Sequence, residues 1–261
     1  MRSYRKRLGN ATVMFLCGVF TVLSCTVTTP AAVSREWGIK FESPGKKPKV
    51  DFSDEELKVY DAYYMGDGQD KFIYLTFDAG YENGLTDHIL DILQKTDVPA
   101  AFFLVGNYIK RNPSLVERMI EEGHIVANHT MTHPDIYALD NNEVSRKELA
   151  STEAVYREVT GLELSKFYRP PCGAFNKNNM RVAKELGYKT IFWSLAYYDW
   201  DMYCQPTNWS AMKKLITCVH PGAVLLLHNT CPVNANILEE LINQYKQMDY
   251  TFKRLDTLVK T

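Results

Sequence analysis

Only one apolar run of any length occurs in this chain, at its N-terminus, which excludes a membrane protein with several spans. Glycine and proline are modest, 14 and 11 of 261 residues, so collagen-like and low-complexity chains are excluded too. There is no basic surplus: 30 Lys and Arg stand against 31 Asp and Glu, and nothing suggests a broad basic surface for nucleic acid. No CxxC pair exists among the six cysteines, so a thiolate zinc site is not expected. The GxGxxG phosphate-binding fingerprint is also missing. What remains is ordinary globular composition, 46% hydrophobic and 23% charged, in one or at most two domains. Aromatics are 12%, with 16 Tyr, enough for a sizeable core and for lining a sugar groove.

Arg2, Arg5, Lys6 and Arg7 make a basic start, and Ala11 to Val27 is almost wholly apolar or small. This order of regions is that of an export signal. The run is shorter than the ~20 residues of a comfortable spanning helix. Val22-Leu23-Ser24-Cys25 resembles a bacterial lipoprotein cleavage site, so three readings stay open: cleaved signal, uncleaved anchor, or lipid anchor on Cys25. All three place the rest of the chain outside the cytoplasm, and some form of membrane attachment is preferred. Thr28 to about Lys49 has the Thr, Pro, Ser, Gly and Lys composition of a linker or stalk. Ser53 and Glu56 form a capping-box start to a short helix, read as a packed adornment of the main domain.

From Lys71 onward strand and helix patterns alternate. Strands are expected at Phe72–Phe77, Ala100–Val105, Ile125–Asn128, Phe167–Arg169, Lys189–Leu195, Ala223–Leu227 and Thr251–Phe252. Helices are expected at Leu85–Lys95, Ser114–Glu122, Glu143–Thr160, Asn178–Leu186, Ser210–Cys218 and Ile237–Met248. Several strands are apolar throughout, as in a parallel sheet covered on both faces. The pattern predicts an α/β fold, a distorted (β/α) barrel of parallel strands with outer helices. A doubly wound open sheet is the alternative.

In such barrels the chemistry sits at the carboxyl ends of the strands. There stand Asp78, the pair His129 and His133, Arg169, Asp199 and His228. Any one of them would ordinarily be a core polar group satisfied by hydrogen bonds. Their recurrence at successive strand ends points to one site. His129 and His133 have i, i+4 spacing, which on a helical turn aims two imidazoles at one metal such as Zn, Co, Ni or Fe. His228 follows an apolar strand and is too polar to continue it; it suits a general acid, with Asp199 keeping it protonated. Arg169, always charged, suits holding Asp78 ionised as a base. Trp200 is expected in the groove and Trp193 in the core. Cys172, Cys204 and Cys231 are expected on the site's rim and Cys218 at the opposite end. A strand of ~5 residues, about 17 Å, then separates Cys218 from Cys231 and argues against their pairing. A disulfide on the rim and free thiols both stay open.

The ordered segments TFDAGYENG (76–84), HTMTH (129–133), RPPCG (169–173), DW (199–200) and LLLHN (225–229) resemble the polysaccharide deacetylase family, carbohydrate esterase family 4. TFDAGYENG, FWSLAYYDW and YTFKRLDTL are closest to its delta-lactam-biosynthetic de-N-acetylases. The resemblance covers about Lys71 to Leu258. It implies removal of acetyl from N-acetylmuramic acid in peptidoglycan, so that a muramic δ-lactam can form in the spore cortex. By position it makes Asp78 the base, His228 the acid, Arg169 the group that orients Asp78, and Asp199 the group that tunes His228. His129 and His133 become metal ligands, and Tyr81, Trp200 and Pro171 substrate-binding residues. The domain division expected is 1–27 signal or anchor, 28–70 stalk and N-terminal extension, and 71–258 catalytic domain, taken as a monomer. One departure stands out. The family motif TFDDG has a second Asp as the third metal ligand, and here that position is Ala79. A divalent cation, with Zn expected and Co or Mn as alternatives, is then held less tightly; Asp78, Glu82 and Asn83 are the candidate substitutes. Two other readings remain: a deacetylase of another cell-wall or chitin-like glycan, and a glycan-binding pseudoenzyme.

Overall fold

Short β-branched and aromatic runs joined by amphipathic stretches bury both of their faces when strands lie inside and helices outside. A computed structural model describes residues 35–201 and 203–259 of the chain. The expected signal or anchor, with Cys25, lies outside the described residues.

The described chain starts with β1 (Arg35–Glu36), α1 (Asp54–Val59) and β2 (Ala62–Tyr63). The alternation follows: β3 (Phe72–Ala79), α2 (Thr86–Thr96), β4 (Ala100–Leu104), α3 (Gly106–Arg111), α4 (Pro113–Glu121), β5 (Ile125–Asn128), α5 (Ile136–Leu139) and α6 (Asn142–Thr160). Then come β6 (Phe167–Tyr168), β7 (Ala174–Phe175), α7 (Lys177–Glu185), β8 (Lys189–Ile191), α8 (Asn208–Cys218), β9 (Ala223–His228), α9 (Pro232–Gln247) and β10 (Thr251–Phe252). Among the described residues no helix is long and apolar enough to cross a membrane.

The main sheet runs β10-β3-β4-β5-β6-β8-β2 with parallel neighbours. β9 pairs in parallel with β3 from Ile73 opposite Ala223 to Asp78 opposite His228. On its other side it meets Leu195, opposite Leu225, just beyond β8. The sheet therefore curls round on itself into a distorted barrel, and the open doubly wound alternative falls away. β4 shows why its strand is apolar throughout. Ala100, Phe102 and Leu104 pack in the layer under the helices, whereas Ala101 and Phe103 pack with Tyr74, Val224, Leu255 and Leu258 in a second core.

Several boundaries differ from the sequence pattern: β3 runs on to Ala79 and so includes Asp78, which was expected past the strand, and β6 ends at Tyr168, one residue before Arg169. β8 stops at Ile191; the next residue, Phe192, still donates its N–H to the Tyr63 carbonyl of β2 at 2.8 Å and stacks its ring on Trp37 at 4.4 Å. β9 includes His228, which pairs opposite Asp78 as the strand's last residue, so the expectation that it lies past the strand is corrected. α9 begins at Pro232 rather than Ile237, with proline at a position that needs no N–H. The capping box of Ser53 and Glu56 is present at α1. Residues from 35 onward are docked on the barrel: β1 pairs antiparallel with β7, and β2 extends the main sheet beside β8.

Phe102 is fully buried and stacks on Phe77 at 5.1 Å. Phe102→Ala should destabilise the protein by about 3–5 kcal/mol in denaturant unfolding. A loss under about 1 kcal/mol would contradict this packing.

Candidate active site

The parallel register of β3 and β9 sets Asp78 beside His228 on neighbouring strands. Asp78 lies on the inner face of the barrel and is 7% exposed. A buried carboxylate must be matched or it takes up a proton. Arg169 matches it, its Nη1 donating to Asp78 Oδ1 at 2.7 Å. Arg169 is itself wholly buried. Its Nε donates to the Ile191 carbonyl at 2.9 Å, its Nη1 also to Thr76 Oγ1 at 3.0 Å, and its plane lies 4.0 Å from the Phe103 ring. Burial pushes the Asp78 carboxyl upward, but Arg169, His129 and His228 together more than offset it and hold the group below the ordinary carboxylate value.

His129 follows β5, and its Nδ1 lies 2.7 Å from the Arg169 carbonyl. A carbonyl only accepts, so this nitrogen carries the proton and Nε2 keeps its lone pair, 3.7 Å from Asp78 Oδ2. Burial pushes His129 down to about 4, so the ring is neutral at pH 7. The His133 ring lies 5.1 Å away. The expected helical turn is absent: 129–133 is a loop in which Thr130 and His133 have positive φ, 67° and 56°. Glu148 of α6 accepts the Met131 and Thr132 N–H groups, both at 2.9 Å, and Thr130 Oγ1 accepts from His133 N at 3.1 Å. The two imidazoles are neighbours because this clamp folds the loop.

Asp199 is 1% exposed and faces His228 with both oxygens. Oδ1 lies 2.8 Å from His228 Nδ1, and Oδ2 accepts the His228 backbone N–H at 2.8 Å. Burial pushes His228 down, but the hydrogen bond and charge of Asp199 more than offset it and raise the imidazole above its ordinary value. Asn234, fully buried at the start of α9, donates to Asp199 Oδ2 at 2.7 Å and to the His228 carbonyl at 3.0 Å. The Tyr197 hydroxyl in turn donates to Asn234 Oδ1. Sequence reading missed Asn234 and Tyr197. Neither ionises near neutral pH, and Asn234 lay ahead of the expected helix.

These groups open on a cavity of about 680 Å³ lined by Asp78, His129, His133, Asp199, Trp200 and His228. Trp200 is 56% exposed, its ring 6.4 Å from His228. Trp193, expected in the core, is half-buried and reaches the cavity as well. Tyr81 is exposed and does not line the cavity; its carbonyl accepts from Asn229 Nδ2 at 3.0 Å. Pro171 is buried behind the wall that Cys172 and Gly173 form. All four described cysteines are free thiols; Cys172 and Cys204 are exposed, whereas Cys231, expected on the rim, is buried.

The lone pair of His129 Nε2 and the nearby His133 ring fit a divalent cation held through two imidazoles, while the Asp78 carboxylate is engaged by Arg169. The Nδ1 contact of His129 to a carbonyl is the outer support that ligating histidines use. A third protein ligand is not offered. Ala79 packs into the helix-side core with 0% exposure. Glu82 is tied to Gly84 N at 2.6 Å and to the Tyr108 hydroxyl at 2.9 Å, and Asn83 donates to the Thr230 carbonyl at 2.8 Å. Among the described residues no group of three His, Cys, Asp or Glu is arranged to hold a metal ion.

Comparison with known proteins gives four findings. The family described as polysaccharide deacetylase matches residues 65–191. The chain is 37% identical over 248 residues to the peptidoglycan-N-acetylmuramic acid deacetylase PdaA of Bacillus subtilis, across 94% of each chain. The solved structure of Bacillus subtilis PdaA, a family 4 carbohydrate esterase, superposes with a TM-score of 0.81 at 38% identity, over 86% of this chain and 96% of that one. A chitooligosaccharide deacetylase of Rhizobium leguminosarum bv. trifolii is also 37% identical, over 62% of this chain and 74% of its own.

Removing one partner of a buried ion pair strands the other. Arg169→Met should therefore cost about 3–5 kcal/mol at pH 7 in denaturant unfolding, and adding Asp78→Leu should restore much of that loss. An unchanged midpoint for the single variant would mean the pair is not buried as described.

Proposed function

The chain belongs to the polysaccharide deacetylase family, and on that footing we propose that it removes the N-acetyl groups of N-acetylmuramic acid residues in peptidoglycan. It is a carbohydrate N-deacetylase, a hydrolase of carbon–nitrogen bonds other than peptide bonds. The observation that carries the mechanism is one cavity with two titratable groups pushed in opposite directions: Asp78 kept ionised by Arg169, and His228 kept protonated by Asp199.

In this reading Asp78 takes a proton from a water as its oxygen adds to the acetamide carbonyl. His228, fixed by Asp199, gives a proton to the nitrogen as the carbon–nitrogen bond breaks. Acetate and a free amine leave. A divalent cation on His129 and His133, with Zn expected and Co or Mn as alternatives, would supply Lewis acidity for the water and the carbonyl oxygen. Trp200 gives the sugar an apolar face beside His228. Tyr81 and Pro171, assigned to substrate in the sequence, stand off the cavity and act at most through the backbone of their loops. We take the catalytic domain as 71–258, with β2 and the family match reaching back to residues 62–65, behind an export segment at 1–27 read as a cleaved signal, an uncleaved anchor or a lipid anchor on Cys25, each of which sends the protein to the cell envelope. The amine product is the one a muramic δ-lactam of spore cortex requires. A chitin-like glycan is the second reading, favoured by the likeness to the chitooligosaccharide deacetylase.

Acetate release from muramic-acid glycan stripped of peptide should exceed release from chitooligosaccharide. Chelation should lower the rate, and returning Zn, Co or Mn should restore it. Faster release from chitooligosaccharide would move the assignment to the second reading. Asp78→Asn, which keeps an acceptor for Arg169, and His228→Ala should each lower the rate by about 10²–10⁴-fold without unfolding the protein. His228 works as an acid only while protonated, and its folded value is raised. The alkaline limb of kcat/KM should therefore lie above the ordinary histidine value of ~6.5, and Asp199→Asn should move it to lower pH. A limb unmoved by Asp199→Asn would show that another group is the acid.

A further inference from the structure

Trp37 lies outside every motif and ahead of the family match, which begins at residue 65. It is nonetheless 5% exposed. Its ring stacks on Phe192 at 4.4 Å and 14°, its Nε1 donates to the Trp193 carbonyl at 2.8 Å, and its backbone N–H donates to the Gly173 carbonyl at 2.9 Å. β1 is held against β7 by the same region, with Glu36 opposite Ala174. Gly173 has φ of +64°, and a Cβ there would meet the Trp193 ring at 2.5 Å and Trp37 Cβ at 3.1 Å. The contact between the N-terminal segment and the RPPCG loop is thus closed, with no space for a side chain between them.

That anchoring brings Glu36, Trp37 and Ile39 into the wall of the cavity that holds Asp78, His129 and His228. The carboxylates of this wall differ in one respect. Asp78 is engaged by Arg169, and Asp199 by His228 and Asn234. The Glu36 carboxylate has no hydrogen bond or ion pair among the described residues, and its side chain is exposed. Its charge reaches the site: burial raises the Cys172 thiol, and Glu36 adds to that rise. An unengaged carboxylate beside half-buried tryptophan in a sugar-sized cavity is an acceptor for neutral hydroxyl groups.

We infer that Glu36, Trp37 and Ile39 form a substrate-binding wall of the deacetylation site, in which Glu36 accepts hydrogen bonds from hydroxyls of the glycan and Trp37 anchors the segment. This rests on the glycan reading above and adds the residue that holds the chain of sugars. Glu36 takes no part in the proton transfers. Its loss weakens binding and leaves the rate at saturation.

The test uses the full chain and a peptide-free muramyl tetrasaccharide, with Kd from calorimetry and kcat and KM from acetate release. Glu36→Ala should raise Kd and KM about tenfold with kcat within twofold, and Glu36→Gln, which keeps one acceptor oxygen, should recover part of the loss. Unfolding midpoints equal to that of the unaltered protein show that the fold is kept, as expected for an exposed side chain. Kd and KM for Glu36→Ala within twofold of the unaltered protein, with acetate still released, would overturn the wall and leave the function standing. No acetate from the unaltered protein, with Kd still weakened by Glu36→Ala, would sink the function and support the wall.

Discussion

A guanidinium and a carboxylate sealed inside a barrel constrain everything around them. Arg169 has no exposed surface, so each of its donors must find an acceptor within the protein. It finds them on separate strands and their extensions: Thr76 and Asp78 on β3, the Ile191 carbonyl at the end of β8, and the Phe192 carbonyl just beyond at 3.3 Å. The residue that holds the Asp78 carboxyl below its ordinary value therefore also ties the barrel's upper rim together. Its own carbonyl sets the tautomer of His129. One side chain and its backbone thus orient both the carboxylate and the first imidazole.

The surroundings of His228 are built differently. His228 keeps partial access to the cavity, with a quarter of its side chain exposed, and its charge is supported from below by Asp199. Asp199 is in turn held by Asn234, and Asn234 by Tyr197. These partners are neutral, so they fix the direction of the carboxylate without competing for its charge. Asp78 is governed by a cation and His228 by an anion. That difference moves two groups on adjacent strands in opposite directions, Asp78 toward its ionised form and His228 toward its protonated form.

Ala79 acquires a physical explanation from strand alternation. Asp78 faces the barrel interior, and the next residue faces the helices, where Ala79 sits in a packed layer with Phe77 and Leu75. A carboxylate at that place would need its own partner or a local change of backbone direction. The loop after it is committed elsewhere, since Glu82 holds the start of α2 and Asn229 holds the Tyr81 carbonyl. A cation bound at this place would be held by His129 and His133 with few other protein donors, which would suit exchange more than permanent retention.

Periodicity alone determined the alternation of strands and helices, the parallel character of the apolar strands, and the ends that carry Asp78, His129, Arg169 and His228. These depend on residues a few positions apart, and local sterics and hydrophobic spacing act over that range. The capping box at Ser53 and Glu56 was legible for the same reason. Only tertiary structure decided that His228 lies opposite Asp78, that Arg169 points inward, and that Asn234 backs Asp199. It also turned 129–133 into a clamped loop where i, i+4 spacing had suggested a helix, because Glu148 from another element takes up its N–H groups. Most of all it placed Trp37 on the carbonyl of Trp193, 156 positions away. A hydrogen bond over that separation leaves no periodic trace, since it forms only after the sheet has curled and brought the two ends of the site together.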